Sequence, residues 1–258
     1  MKKVLITGGN GYIAKSLYVA LRTKYDITVV TRQDFNLLDY QATTAYLQDK
    51  YFDFIIHTAI VGGNRLREED ANTLAQNLSM HYNLIENKDR FGRLISFGSG
   101  AELNWPATPY GFSKRIIAES MLNTNYCLNL RIFAVFDENE LDRRFIKSNI
   151  IRYINQEDMR IHENKRMDFF YMKDLITLVD YHLKRDEWLF KEVDCVYEKS
   201  FTLLEIAKMI NQLEDYKVEI KVENLTESSY TGLYKDLKIP LIGLQNGIAE
   251  VYKKLKQT

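Results

Sequence analysis

The sequence predicts an α/β protein built on a parallel sheet that helices cover on both faces. Three observations indicate this fold. The chain opens on a short apolar run, Lys3–Ile6, of the kind that forms a buried strand. A glycine-rich segment, Thr7–Ala14, follows, and apolar residues at helical spacing begin at its end. Apolar runs and helical patterns then alternate through the first half of the chain, which is typical of a parallel sheet.

The first half contains the more regular pattern. Its strands are predicted at about 3–7, 27–31, 53–58, 92–97 and 128–134, and its helices at about 12–24, 40–50, 67–88 and 110–125. In the second half, helices are predicted at about 142–155, 172–185, 202–213 and 245–256, and strands near 159–162, 192–197 and 216–222. Thr202 and Glu205 have the spacing of a capping box at the start of a helix.

The glycine-rich segment is typical of a turn that binds a dinucleotide. Such a turn presents backbone N–H groups and the positive end of a helix dipole to a pyrophosphate. Gly9 and Gly11 permit the tight turn and close backbone approach, and Ala14 stands at the position of the third glycine. The alternative is an ordinary strand-to-helix loop. The cofactor contacts expected in this segment are Gly8, Asn10, Gly11, Tyr12 and Ile13. We expect residues 1–140 to form a dinucleotide-binding domain and residues 141–258 a smaller substrate lobe, with some of its strands and helices returning to the first domain.

Composition narrows the class of partner. The 258 residues are 46% hydrophobic and 27% charged, as in a soluble globular protein. Lys+Arg and Asp+Glu both number 35, and this balance disfavours nucleic acid or an anionic membrane as the main partner. Cys127 and Cys195 suggest neither a disulfide framework nor a metal site. The first apolar run is too short for a signal peptide and no run reaches membrane length, so we expect a cytoplasmic protein.

Tyr110 and Lys114 stand one helical turn apart, so the phenol and the ammonium share a face. A free tyrosine has a pKa of about 10, and a neighbouring ammonium lowers it and makes the phenol a usable general acid. The same ammonium could hold ribose hydroxyls. Ser99, at the end of a predicted strand, could bond to a reacting carbonyl oxygen. The alternative is a solvated helix face, but the serine and the glycine turn favour the catalytic interpretation.

These segments together resemble a known family, the extended short-chain dehydrogenases/reductases. The resemblance rests on TGGNGYIA (7–14), His57-Thr58-Ala59, Ser99 and YGFSK (110–114). More narrowly, they resemble the NAD(P)-dependent nucleotide-sugar epimerase/dehydratase branch, whose later motifs match Leu130–Phe133, Asp168–Tyr171 and Asp174-Leu175. The resemblance implies a Rossmann doubly wound parallel sheet with a smaller α/β substrate-binding lobe. It also implies Ser99, Tyr110 and Lys114 as catalytic residues, cofactor contacts at Thr58, Ala59 and Lys114, and a homodimer formed through two helices, one of them carrying Tyr110.

Two segments, VTRQDFNLLDY (30–40) and HTAIVGGNR (57–65), are most similar to GDP-4-keto-6-deoxymannose reductases, the GDP-fucose synthase-like branch. The second strand ends at Arg32 with no acidic residue at its tip to hold a ribose 2′-hydroxyl. An arginine there suits a 2′-phosphate, which favours NADP(H) over NAD(H), although Arg32 could also be a surface side chain. Asp39 resembles the family's adenine-contacting aspartate, or it is the N-cap of the next helix.

The departures from the family pattern narrow the chemistry. Gly100 and Ala101 stand where the sugar dehydratases carry an Asp-Glu pair, so dehydration lacks its acid and base. Ala101 and Arg144 stand where the epimerising enzymes of the fucose pathway carry cysteine and histidine. By resemblance, Arg152 and Arg166 are candidates for the substrate phosphates, although Met167 occupies the usual arginine position and Arg152 could be a solvated helical residue.

The residues that remain suit hydride transfer at a C4 carbonyl. We therefore expect an NADP(H)-dependent reductase of a nucleotide-linked 4-keto-6-deoxy sugar, with Tyr110 as the general acid and Ser99 on the substrate oxygen. Two alternatives stay open. One is a nucleotide-sugar 4-epimerase that holds NAD tightly. The other is a non-catalytic dinucleotide-binding regulator, suggested by the short interval between Ser99 and Tyr110.

Overall fold

A computed structural model of the chain describes residues 1–63 and 68–257. The strands are β1 (Lys3–Thr7), β2 (Asp26–Val30), β3 (Phe52–His57), β4 (Phe91–Ser99), β5 (Cys127–Ile132), β6 (Val135–Phe136), β7 (Met159–Met167), β8 (Phe170–Tyr171), β9 (Glu192–Cys195), β10 (Phe201–Thr202) and β11 (Ile220–Tyr230). The helices are α1 (Tyr12–Leu21), α2 (Tyr40–Leu47), α3 (Ala71–Ile85), α4 (Ala101–Asn104), α5 (Pro109–Leu122), α6 (Phe145–Ile154), α7 (Met172–Leu183), α8 (Leu203–Ile210) and α9 (Leu244–Leu255). Among these residues, no helix is both long and apolar enough to cross a membrane.

The chain divides into two compact units. The first comprises Met1–Arg131 and Val179–Val193, and the second comprises Ile132–Leu178 and Asp194–Thr258. The main segment of the first unit therefore ends before the predicted boundary at 140/141, and the unit also includes the later segment Val179–Val193. The contacts of that segment explain its place, because Tyr25 Oη donates to Asp180 Oδ1 at 2.8 Å and β9 lies beside β5 at the edge of the sheet.

The first unit is organised by a six-stranded sheet in the order β2-β1-β3-β4-β5-β9. β1 pairs in parallel with β2 and β3, and β3 pairs in parallel with β4. The carboxyl ends of these parallel strands consequently meet at one edge, which carries Thr7, Val30, His57 and Ser99. This arrangement confirms the predicted α/β fold with a parallel sheet, and ligands of such sheets bind at this edge.

Both faces of the sheet are covered. Leu5 packs in one core with residues of α2, α3 and α5, including Leu47, Leu84 and Ile117. The neighbours of Leu5 in β1 point to the opposite face and are fully buried there, and α1 packs against β1 and β2. Burial on both faces is the reason that β1 has an unbroken apolar run instead of an alternating one.

The second unit contains two small sheets. β7 pairs with β10 in antiparallel fashion and with β11 in parallel, and β6 pairs in parallel with β8. Residues of α6, α8 and α9 share one core with these strands. The Thr202–Glu205 capping box is present at the start of α8, where the Thr202 hydroxyl accepts from Glu205 N at 3.1 Å and the carboxylate accepts from Thr202 N at 2.7 Å.

Several elements differ from the sequence prediction. β7 extends past the predicted 159–162, and β11 begins later than the predicted 216–222 and extends well past its end, because the two strands pair with each other along most of their length. The short elements β6, β8, β10 and α4 were not predicted. A strand of two residues or a helix of one turn has no measurable periodicity, so only its tertiary partners define it.

Candidate active site

The turn between β1 and α1 has the geometry of a backbone cradle. Gly11 N donates to Gly8 O at 2.8 Å, which closes the turn, and Gly9 N donates to Val30 O at 2.9 Å, which holds it against the end of β2. Gly8 has a φ of +72°, and a Cβ at this position would lie 2.7 Å from Ala59 N. Only glycine fits there. The cradle leaves the first N–H groups of α1, from Tyr12 and Ile13, at the helix N-terminus.

A cavity of about 420 Å³ lies beside this turn. Its lining includes six of the residues proposed above as cofactor contacts, namely Gly8, Asn10, Gly11, Arg32, Thr58 and Ala59. Val30, Thr31, Phe35, Asn36, Leu37, Ile60, Val61 and Met80 complete the wall. A glycine cradle at one side and apolar walls at the other fit a dinucleotide, whose pyrophosphate needs N–H donors and whose adenine needs a nonpolar slot.

Asp39 is the N-cap of α2, which is the second of the two roles expected for it. Its side chain accepts a hydrogen bond from Ala42 N at 3.0 Å and thereby caps α2. Phe35, which lines the cavity, stacks on Tyr46 with ring centroids 4.3 Å apart. Asn64 and Arg65, which contribute to the resemblance of segment 57–65, lie outside the described residues.

Ser99 ends β4 and is held by a buried carboxylate. Ser99 N donates to Glu102 Oε1 at 2.7 Å, and Ala101 N donates to the Ser99 hydroxyl oxygen at 3.2 Å. Glu102 Oε2 accepts from Arg131 Nε at 2.8 Å and from Asn129 Nδ2 at 3.3 Å. Burial raises the pKa of the Glu102 carboxyl, and the Arg131 guanidinium opposes that shift. Sequence reasoning missed Glu102, whose role depends on residues that follow it by almost thirty positions in the chain.

Tyr110 lies in the first turn of α5, and a glycine pair packs on its ring. Gly62 and Gly63 both have positive φ, and a Cβ on Gly63 would lie 3.3 Å from the Tyr110 hydroxyl oxygen. Glu69 links the two segments, because its carboxylate accepts from Gly63 N at 2.8 Å and from Tyr110 N at 3.3 Å. Val61, directly before the glycine pair, lines the cavity. The phenol therefore lies close to one end of the proposed cofactor site.

Lys114 is buried one turn after Tyr110. Its Nζ donates to Phe97 O at 2.6 Å. Burial lowers the pKa of Lys114 to about 8, and the Glu102 carboxylate opposes this shift. His57 and His81 are also buried, and burial together with the Lys114 charge keeps both of their pKa values below the usual range. Both imidazoles are therefore neutral at neutral pH, so Lys114 carries the positive charge among these three buried side chains.

Asn77, on α3, was also missed by sequence reasoning. Its side chain accepts from Val61 N and donates to Val61 O, both at 2.9 Å, and it donates to the Ser113 hydroxyl at 3.0 Å. Asn77 thereby connects the wall of the cavity to the helix that carries Tyr110. Asn77 stands three and seven residues before Met80 and Leu84, which are buried on the same face of α3, and a polar residue at that spacing is the signal that could have identified it.

Two of the proposed site residues belong to the second unit. Arg152, on α6, donates to Glu157 Oε2 at 3.4 Å, and Arg166, on β7, donates to Ser200 O at 2.6 Å. Their role in substrate binding stays a prediction. In the described part of the chain, no group of three metal-ligating side chains could hold a metal ion.

Several known proteins are similar to this chain in sequence or in fold. CDP-abequose synthase of Yersinia pseudotuberculosis is 22% identical over 246 residues, which cover 84% of this chain and 87% of that protein. The fold is similar to that of GDP-mannoheptose C4 reductase from Campylobacter jejuni with NADP bound (TM-score 0.81, 14% identity, 99% of this chain and 98% of that one). It is also similar to that of UDP-glucuronic acid 4-epimerase from Bacillus cereus in complex with NAD (TM-score 0.78, 17% identity, 99% of each chain).

A model of one protein family matches a long segment of the chain that includes the candidate site. It begins in β1, includes the glycine turn, Ser99, Tyr110 and Lys114, and ends after α7. Since the model of the NAD dependent epimerase/dehydratase family matches residues 4–188, well over half of the chain, the protein belongs to that family and is a nucleotide-sugar-modifying, NAD(P)-dependent enzyme of the oxidoreductase type.

Proposed function

We propose that the protein is an NADP(H)-dependent reductase of a nucleotide-linked 4-keto-6-deoxy sugar. One observation carries the proposal. The first unit contains Ser99, Tyr110 and Lys114, and Tyr110 packs against Gly63, two residues after the cavity-lining Val61. The carboxylate nearest to Ser99 in the chain, that of Glu102, belongs to a residue that is 3% exposed and accepts from three donors. A hydroxyl, a phenol and an ammonium suffice to reduce a carbonyl, whereas dehydration needs an accessible acid and base.

Each residue of the set has a distinct part in the proposed reduction. When bound, the reduced nicotinamide supplies the hydride that adds to the sugar C4 carbon. Tyr110 donates its proton to the C4 oxygen, which becomes the hydroxyl of the product. The Ser99 hydroxyl donates a hydrogen bond to the same oxygen and positions it. Lys114, held by Phe97 O, stabilises the phenolate that remains.

Dehydration is disfavoured by the environment of the Ser99 loop. Gly100 and Ala101 carry no titratable group, and the Glu102 carboxylate points into the protein, where Arg131 and Asn129 engage it. A carboxylate that is paired with Arg131 cannot remove a proton from a sugar carbon without breaking this buried ion pair. The site therefore supports transfer of a hydride at C4 without elimination of water.

Arg32 supports the preference for NADP(H). It lines the cavity at the end of β2, where the ribose 2′ position of a dinucleotide lies in this type of sheet. Within the described ranges, Arg32 makes no hydrogen bond or ion pair, so its guanidinium is free for a 2′-phosphate. The reductase of similar fold from Campylobacter jejuni binds NADP, which is consistent with this preference.

A nucleotide-sugar 4-epimerase that holds NAD is the second candidate. The epimerase of similar fold from Bacillus cereus binds NAD, and the same three catalytic groups can move a hydride from C4 and back. The two functions differ in the carried cofactor. Purified protein that contains stoichiometric NAD and consumes none would support the epimerase, whereas net oxidation of added NADPH would support the reductase.

The test of the reductase is an assay of NADPH oxidation with a panel of 4-keto nucleotide sugars. Tyr110→Phe should lower kcat at least about a hundredfold, the scale expected for loss of a general acid. The matched control is Tyr40→Phe, at an exposed position of α2, which should leave kcat unchanged. Near-normal turnover by Tyr110→Phe would refute the proposed role. Dinucleotide binding without turnover of any sugar in the panel would favour the non-catalytic regulator.

We also propose that the protein forms a homodimer through α3 and α5. The two helices pack against each other in the first unit. They also leave large side chains exposed, with Tyr82 at 38%, Phe112 at 45% and Leu122 at 42% exposure. Light scattering gives the mass in solution, and Phe112→Asp should convert a dimer built on these helices into monomers.

A further inference from the structure

The helix that carries Tyr110 begins with N–H groups that need hydrogen-bond partners from outside the helix. Thr108 is the N-cap of α5, and its hydroxyl accepts from Gly111 N at 3.0 Å. Tyr110 N donates instead to Glu69 Oε2 at 3.3 Å. The helix dipole also favours a carboxylate at this end of the helix. Glu69 therefore binds the backbone of the residue proposed as the general acid.

The other oxygen of the same carboxylate binds the loop that follows β3. Glu69 Oε1 accepts from Gly63 N at 2.8 Å. Gly62 and Gly63 have φ values of +86° and +70°, and both lie along one edge of the Tyr110 ring. A Cβ on Gly62 would lie 3.4 Å from Tyr110 Cδ2, and a Cβ on Gly63 would lie 3.0 Å from Tyr110 Cζ. The glycine pair thus contacts the ring from its base to the carbon that bears the hydroxyl.

A separate side chain holds the start of this loop. Asn77 accepts from Val61 N and donates to Val61 O, and Val61 lines the cavity. Glu69 holds the other end of the loop segment, at Gly63, next to the Tyr110 hydroxyl. Loss of the Glu69 carboxylate should therefore leave the cavity wall in place and release the segment that packs beside the hydroxyl.

We propose that Glu69 is a positioning residue, which fixes the Tyr110 phenol for proton donation by binding the Tyr110 backbone and the glycine segment beside its ring at the same time. This inference rests on the reductase function proposed above, in which Tyr110 protonates the C4 oxygen. The rate of that step depends steeply on geometry, and a misplacement of about 1 Å can lower it about a hundredfold. Glu69 acts through Tyr110 and transfers no proton itself.

Steady-state NADPH oxidation with the sugar panel tests this role. Glu69→Gln keeps the shape of the side chain but has one acceptor oxygen, so either Gly63 N or Tyr110 N must face an NH2 group. Its kcat should fall about tenfold or more, while KM changes less than about threefold, because the loss is one of transition-state geometry. Glu69→Ala, which removes both acceptors, should lose at least as much. The control is Glu68→Gln, at an exposed neighbouring position, which should retain kcat.

A double-mutant cycle separates positioning from a general structural effect. In the Tyr110→Phe background no phenol remains to be positioned, so adding Glu69→Gln should change the residual rate less than about twofold. Equal losses in both backgrounds would show that Glu69 does not act through the phenol and would overturn the proposal. NADP affinity, measured by calorimetry, should change less than about twofold in Glu69→Gln, because Asn77 still holds Val61. A loss of affinity as large as the loss of kcat would also overturn the proposal.

Fluorine NMR follows the ring itself, without turnover. Fluorotyrosine incorporated in place of Tyr110 gives a resonance that Glu69→Gln should shift or broaden and that Glu68→Gln should leave unchanged. A resonance that Glu69→Gln leaves unchanged would overturn the role of Glu69 and leave the reductase proposal intact. Absence of turnover by the unsubstituted protein would overturn the reductase proposal, and the fluorine resonance would then decide by itself whether Glu69 holds the ring.

Discussion

Replacing Glu102 with Gln should remove a large part of the stability of the first unit. The Glu102 side chain is almost fully buried and accepts hydrogen bonds from Ser99 N, Arg131 Nε and Asn129 Nδ2. Glutamine has the same shape but only one acceptor oxygen. Its amide NH2 group must face either the Ser99 N–H or the guanidinium, so that two donors point at each other in a buried place.

The size of the effect follows from what Arg131 retains. Removing one partner of a buried ion pair costs about 3–5 kcal/mol, because the other charge is left uncompensated. Arg131 Nη2 keeps a second carboxylate, Glu192 Oε2, at 2.8 Å, so we expect the lower value, about 3 kcal/mol. In a chain of this size each kcal/mol lowers Tm by about 2–4 °C, which gives a decrease of about 6–12 °C.

Thermal unfolding followed by circular dichroism at neutral pH measures this decrease. The matched control is Glu119→Gln on α5, where Glu119 pairs with Arg115 at 2.8 Å and its side chain is 61% exposed. An exposed pair contributes at most about 1 kcal/mol, so Tm should change by only a few degrees. If Glu102→Gln unfolds at the same temperature as Glu119→Gln, the carboxylate is not the charge partner described here.

Two further predictions concern the buried cluster around Lys114. Burial lowers the pKa of Lys114 to about 8, so the cationic form of its side chain opposes folding at neutral pH. Lys114→Met should therefore abolish turnover but raise the free energy of unfolding, measured by urea titration, by about 2 kcal/mol. A variant whose stability is equal to or lower than that of the unsubstituted protein would contradict this. Burial lowers the pKa of His81 to about 4, and its Nδ1 has no hydrogen-bond partner among the described residues. Between pH 6.5 and 4 the unfolded chain therefore binds a proton at His81 that the folded chain does not bind. The free energy of unfolding should consequently decline by about 2 kcal/mol between pH 7.5 and pH 5. His81→Leu should remove this part of the decline, as measured by urea titration at pH 7.5 and at pH 5.

Some features were predictable because they are local. The glycine turn depends on backbone conformations within a few residues, and the Tyr110–Lys114 spacing depends on one helical turn. The strands of the first half were predicted from their apolar runs, since strands buried on both faces lack polar alternation. The fold class and the family followed from these segments, and the structure and the family match confirm them.

Other features depend on segments that are far apart in the chain. The bond of Glu102 to Arg131 joins α4 to β5, and the carboxylate of Glu69 reaches both Gly63 and Tyr110. The roles of Arg152 and Arg166 in substrate binding and a cytoplasmic location stay predictions.

The type of sheet, the dinucleotide turn and the three catalytic candidates could be inferred from the linear sequence, because each depends on residue types at short, regular spacing. The charges that surround them depend on how the chain folds. The chain folds Asp34 back onto the tip of β2 and turns Glu102 away from solvent beneath Ser99. Neither orientation has a linear signal, since a carboxylate in an exposed loop and one in a buried ion pair are written with the same letter and differ only in the donors that folding brings to them.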